Sequence, residues 1–140
     1  MNDQEFADLS AGVQVHVDRW VHRFGLDTWK LHVSYERDGD EFSPSRRDGP
    51  VRSFVSAHTV TNWKYMEATL TFNCKALSDQ SHEEVEAVVV HELTHILIAE
   101  LREEVDDWLA HEERTVTMLT RAFLTTRNEA LEVNAEKEAG

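Results

Sequence analysis

Residues 81–103 read SHEEVEAVVVHELTHILIAELRE, and this segment joins a helix start signal to a histidine pair inside an apolar run. Ser81 and Glu84 have the spacing of a capping box, in which each side chain satisfies a backbone N–H that the first helical turn leaves unpaired. Apolar residues on both sides of the histidines favour one continuous, largely buried helix. We therefore predict a helix over residues 82–103.

Within this helix, the sequence His91-Glu92-Leu93-Thr94-His95 has the form HExxH. Residues four apart lie on one face of a helix, so both imidazoles can bind one ion. Zinc binds such nitrogens at about 2.0–2.1 Å and keeps a position for water in catalytic sites. Glu92 is placed to take a proton from that water, which predicts a zinc-dependent hydrolase suited to amide bonds. The alternative is a helix with an exposed polar stripe that carries two histidines by chance.

A zinc site of this kind needs a third protein ligand, which the chain must supply when it turns back. A predicted last helix over residues 108–127 offers His111, Glu112 and Glu113 near its start. At about 100° per residue, Glu112 falls within the apolar stripe of that helix, Glu113 lies at its edge and His111 points away. We therefore predict Glu112 as the third ligand and keep Glu113 as the alternative, with His111 as a minor candidate.

Residues around the predicted ligands suggest weaker assignments. Metal-bound histidines usually donate their other ring nitrogen to a carboxylate or carbonyl, and Glu113 or Thr117 is a candidate partner. His58 and Tyr65 lie near the ends of predicted strands, and either one is a candidate to stabilise the oxyanion of a tetrahedral intermediate. A glutamate that is not a ligand complements the positive end of its helix.

The remaining sequence predicts an α+β fold. We expect an N-terminal helix over 5–24, strands over 29–35, 51–60 and 65–72, and a surface loop over 37–50. Strands grouped together and helices grouped after them favour α+β over a doubly wound fold. An acidic break over 104–107 would let the last helix return antiparallel to the HExxH helix. One domain is expected over 1–127, followed by a polar, flexible tail over 128–140.

Composition narrows the possible partners and compartment. A formal net charge of −13 on 140 residues argues against nucleic acid or an anionic membrane as a partner, because phosphate binding needs clustered Lys and Arg. Cys74 is the one cysteine, so no intramolecular disulfide forms. The chain starts without a basic and apolar leader and has no run long enough to span a membrane. We therefore expect a cytoplasmic protein that acts on a protein or peptide.

Three segments together resemble small SprT-like or minigluzincin-type metallopeptidases, which phages and prophages often encode. These segments are residues 65–73 (YMEATLTFN), 81–100 with VVVHELTHIL, and 111–119 (HEERTVTML). The resemblance covers about residues 26–127, and HExxH is its one highly specific motif. Larger gluzincins carry an acidic residue four positions after the ligand glutamate, where this chain has Val116 or Thr117.

The resemblance implies a zincin-like fold, with zinc on His91, His95 and a downstream helical glutamate, and with Glu92 as the base. It also implies a three-stranded sheet whose edge strand can align an extended peptide, and a host cytoplasm if a phage encodes the protein. A peptidase that cleaves a repressor fits the same residues. A non-catalytic zinc-binding structural or regulatory protein that retains the fold is the rival from another class. A metal-free helical adaptor is a third possibility, and it needs HExxH to be accidental.

Overall fold

The structure is a computed structural model, and it describes residues 1–39, 56–99, 101 and 108–139, with side chains of the last segment from residue 112 onward. A 3-10 turn, Trp63–Tyr65, joins the second and third strands. The elements in chain order are α1 (Asp3–Arg23), β1 (Lys30–Glu36), β2 (Ala57–Asn62), β3 (Glu67–Asn73), α2 (Cys74–Leu77), α3 (His82–Ile98) and α4 (Trp108–Ala139). The predicted α+β class is confirmed.

Helix α3 begins where the sequence predicts. Ser81 Oγ accepts the backbone N–H of Glu84 at 3.2 Å, and Glu84 Oε2 accepts the backbone N–H of Ser81 at 2.7 Å. The helix ends at Ile98 rather than at residue 103, because the Ala99 N–H turns back to the carbonyl of Ile96 and tightens the last turn. The HExxH residues therefore occupy the second half of α3.

The sheet is mixed, in the order β1-β3-β2, with β1 parallel and β2 antiparallel to the central strand β3. Met66 has φ of 50° at the end of the 3-10 turn, so β3 starts at Glu67 rather than at the predicted Tyr65. One face of β3 is buried and forms the hydrophobic core with the apolar side of α3. The main contributors from these two elements are Ala68, Leu70, Phe72, Val89, Val90 and Leu93.

Helices α3 and α4 run antiparallel, as predicted. The second half of α3 meets the start of α4 where His95 contacts Glu112, and the first half of α3 meets a later part of α4 where Glu86 contacts Arg127. Helix α1 also contacts α3, and its Val13, Val17 and Trp20 belong to the hydrophobic core. Polar contacts therefore join α3 and α4 near both ends of α3.

Several predicted boundaries differ or lie outside the described residues. Helix α4 continues past its predicted end at residue 127 to Ala139, and residues 128–139 form an exposed extension of the helix. The domain boundary at 127/128 and the flexibility of the tail stay predictions. The acidic break at 104–107, residues 51–55 of the second strand, most of the loop over 37–50 and the side chain of His111 fall outside the description. Among the described helices, none has the length and apolar character of a membrane span.

Candidate metal centre

The two histidines of HExxH meet on one face of α3. Their Nε2 atoms lie 3.2 Å apart, and the two rings are close to perpendicular at 74°. His95 is buried, whereas the side chain of His91 is partly exposed. The predicted convergence of the two imidazoles on one point is thus present.

Glu113 of α4 completes a group of three donors. Its Oε1 lies 2.9 Å from His95 Nε2, and its Oε2 lies 3.3 Å from His91 Nε2. One ligand atom from each of the three residues fits within a 4.8 Å span. Four-coordinate zinc with bonds of about 2.0–2.1 Å holds its ligand atoms roughly 3.3 Å apart, so these donors fit a single zinc ion. Half of the Glu113 side chain is exposed, which leaves one side of the group open.

Glu112, the preferred ligand in the sequence prediction, lies on the other nitrogen of His95. Its Oε1 is 2.7 Å from His95 Nδ1, and the residue is buried. The structure therefore places the alternative candidate, Glu113, with the two Nε2 atoms and places Glu112 behind His95. His95 Nδ1 thus has Glu112 as its partner, rather than Glu113 or Thr117.

Glu92 follows His91 in α3, and its buried carboxylate accepts a hydrogen bond from strand β2. The Oγ1 of Thr59 donates to Glu92 Oε2 at 2.5 Å and also lies 3.3 Å from the carbonyl of Glu92. Thr59 pairs with Leu70 across the β2–β3 ladder, so its side chain shares the core face of the sheet, against α3. Sequence reasoning missed Thr59, because nothing in the sequence states which residue of β2 faces α3.

The candidate oxyanion residues lie elsewhere. His58 precedes Thr59 in β2, and strand alternation places its side chain on the face of the sheet opposite to Thr59. Tyr65 is in the 3-10 turn and is 78% exposed. Neither residue is thereby brought to the HExxH face of α3.

An ion pair between the buried Glu86 of α3 and the partly buried Arg127 of α4 joins the two helices away from the histidines. The guanidinium of Arg127 donates to both carboxylate oxygens of Glu86, at 2.5 and 2.9 Å, and Trp20 Nε1 donates to Oε1 of Glu86 at 2.8 Å. These donors hold the pKa of Glu86 at about 2, with Arg127 as the largest cause. The pair spans the two helices that carry the candidate ligands, and sequence reasoning did not find it.

No protein-family model, no curated protein and no solved structure matches the chain. The resemblance to SprT-like metallopeptidases therefore stays a prediction. The geometry of the site does not depend on that resemblance: two imidazoles and one carboxylate have ligand atoms within 4.8 Å of one another.

Proposed function

We propose that the protein is a zinc-dependent peptidase of zincin-like fold, with His91, His95 and Glu113 as the zinc ligands. The observation that carries the proposal is the convergence of these three donors from α3 and α4 within 4.8 Å. Two imidazoles and one carboxylate form a donor set typical of catalytic zinc, which keeps a fourth position open for water. Half of the Glu113 side chain is exposed, so a metal held by these residues would be accessible to solvent and substrate from that side.

When bound, zinc lowers the pKa of water and polarises a carbonyl oxygen. Glu92 acts as the general base: its carboxylate takes a proton from the attacking water and delivers it to the amine that leaves. Thr59 holds Oε2 of Glu92, which keeps the carboxylate in one orientation and leaves Oε1 for the proton transfer. The burial of Glu92 limits competing hydrogen bonds with bulk water.

Strand β2 suits an extended protein or peptide substrate. In the described sheet, β2 pairs with β3 alone, so its outer edge offers backbone groups to an added strand. The same strand carries Thr59, so a peptide on this edge lies beside the residue that holds Glu92. The net charge of −13 disfavours nucleic acid as a substrate, and we propose action on proteins in the cytoplasm.

Hydrolysis of fluorescein-labelled casein by the zinc-loaded protein tests this proposal. We expect activity that a chelator removes and added zinc restores. Glu92→Gln should lower the rate by about 10²–10⁴ while zinc content stays unchanged, because the general base contributes a factor of that size. Glu83→Gln, an exposed glutamate on the same helix, is the matched control and should match wild type.

Two outcomes separate the proposal from its rivals. Zinc binding without hydrolysis of casein, or of any other unfolded protein, would favour a zinc-binding structural or regulatory protein. Hydrolysis that persists in Glu92→Gln at the wild-type rate would show that Glu92 is not the base.

A further inference from the structure

The contact between Glu112 and His95 supports one orientation of the imidazole, with Nδ1 towards Glu112 and Nε2 towards Glu113 and His91. A carboxylate accepts hydrogen bonds, so the Glu112 carboxylate, 2.7 Å from His95 Nδ1, offers an acceptor for a proton on that nitrogen. A neutral imidazole with a proton on Nδ1 has a free electron pair on Nε2. This Nε2 atom is the one that lies near Glu113 and His91.

Both partners of the contact between Glu112 and His95 are buried, so it restrains the orientation of the imidazole more than an exposed pair would. Glu112 is 6% exposed and His95 is 7% exposed, so both groups depend on protein partners rather than on water. Glu113, the next residue in α4, has a half-exposed side chain. Side chains of neighbouring helical residues point about 100° apart. The buried Glu112 therefore contacts His95 Nδ1, while the half-exposed Glu113 contacts the Nε2 atoms of both histidines.

We propose that Glu112 is a positioning residue, which fixes the tautomer and ring orientation of His95 for metal binding, while Glu113 is the ligand. The inference rests on the proposed zinc site. Two adjacent glutamates thus have separate roles, one behind the imidazole and one beside the metal. A carboxylate behind a metal-bound imidazole also raises the basicity of the coordinating nitrogen.

Zinc affinity, measured by competition with a chromophoric chelator, tests the division of roles. Glu112→Gln keeps a hydrogen-bond acceptor but loses the charge, and Glu112→Leu loses both. We expect affinity to fall about 10-fold in the first and towards 100-fold in the second, the range found for such outer partners. Glu113→Gln should cost more than either. Glu132→Gln, an exposed glutamate on the same helix, is the control and should bind zinc as wild type does.

Two further readouts distinguish positioning from a general structural role. The visible spectrum of bound Co²⁺ should keep its wild-type shape in Glu112→Gln, since the ligand set is unchanged, and should change in Glu113→Gln. The free energy of unfolding without metal should stay close to wild type in Glu112→Gln while zinc affinity falls, because the amide oxygen still offers His95 Nδ1 an acceptor.

Several results would overturn the inference. Wild-type zinc affinity in both Glu112 variants would show that the contact does not support metal binding. Loss of binding in Glu112→Gln as complete as in Glu113→Gln, with an altered Co²⁺ spectrum, would make Glu112 a ligand. Wild-type protein that binds no zinc would refute the proposed function itself, together with this inference.

Discussion

Replacement of Arg127 by Met tests the ion pair that holds α4 against α3. The variant leaves the Glu86 carboxylate buried, with the Trp20 indole as its donor among the contacts described above. The pKa of Glu86 is about 2 instead of the usual 4.5, and at roughly 1.4 kcal/mol per pH unit the difference corresponds to about 3 kcal/mol. Breaking a buried pair by removing one partner costs about 3–5 kcal/mol. We therefore expect Arg127→Met to lose about 3 kcal/mol in urea unfolding at pH 7.

The pH dependence of this loss gives the sharper test. The folded-state pKa of Glu86 lies below its unfolded value, so the stabilisation is present above about pH 4.5 and is lost as the pH falls towards 2. The difference in unfolding free energy between wild type and Arg127→Met should shrink across this range. Arg121→Met, at an exposed position of the same helix, is the control and should stay close to wild type at every pH.

A loss below about 1 kcal/mol, or a loss that is the same at pH 3 and pH 7, would refute this reasoning. Either result would show that Arg127 and Glu86 interact as an ordinary surface pair. The two helices that carry the candidate ligands would then depend on apolar packing and on the contact between His95 and Glu112 for their relative position.

Three further predictions concern other described contacts. Thr59→Val removes the hydroxyl that donates to Glu92 and should lower casein hydrolysis about 10-fold at unchanged zinc content; an unchanged rate would refute the role of Thr59. Gly39 and Gly25 both have positive φ, of +71° and +68°, but their surroundings differ. In Gly39→Ala the added Cβ lies 2.6 Å from the side-chain Oδ1 of Asn73, whereas in Gly25→Ala it meets nothing within 4 Å. Urea unfolding should show a larger loss for Gly39→Ala, by about 1 kcal/mol or more, and equal losses would contradict this. His16 has two buried ring nitrogens without a partner among the described residues, and burial lowers its pKa. As the pH falls through about 6.5, His16 gains a proton in the unfolded chain before it does so in the folded protein. The unfolding free energy of wild type should therefore fall relative to that of His16→Leu between about pH 7 and 5. Unfolding free energies that change with pH in the same way in both proteins would contradict this prediction.

The parts of the fold that the sequence predicts are those set by interactions between residues close together in the chain. The start of α3 was predictable because Ser81 and Glu84 satisfy backbone groups within four residues of each other. The end of α3 was not, because the apolar pattern continues past Ile98 while the backbone tightens there. The extension of α4 to Ala139 was missed for a related reason, since residues 128–139 have few apolar anchors and yet continue the helix.

The candidate site shows a similar division between local and long-range information. HExxH fixes its own geometry, since two histidines on one helical face depend only on the pitch of the helix. The helical wheel also ranked Glu112 as more buried than Glu113, which the structure bears out. Burial alone does not show which glutamate is the metal ligand, because a buried carboxylate can accept a hydrogen bond from an imidazole as well as bind a metal. The partners Thr59 and Arg127 depend on the packing of distant segments, which no short pattern encodes.

The zinc content of purified protein after reconstitution is the most direct test of the proposed metal centre. Wild type should contain about one zinc per chain by mass spectrometry of the metal, and His95→Ala should lose most of it, because three protein donors are needed for a stable site. His32→Ala, at an exposed histidine of β1, is the matched control and should keep the wild-type content. A wild type without zinc, or a His95→Ala variant with a full complement, would contradict a zinc site on His91, His95 and Glu113.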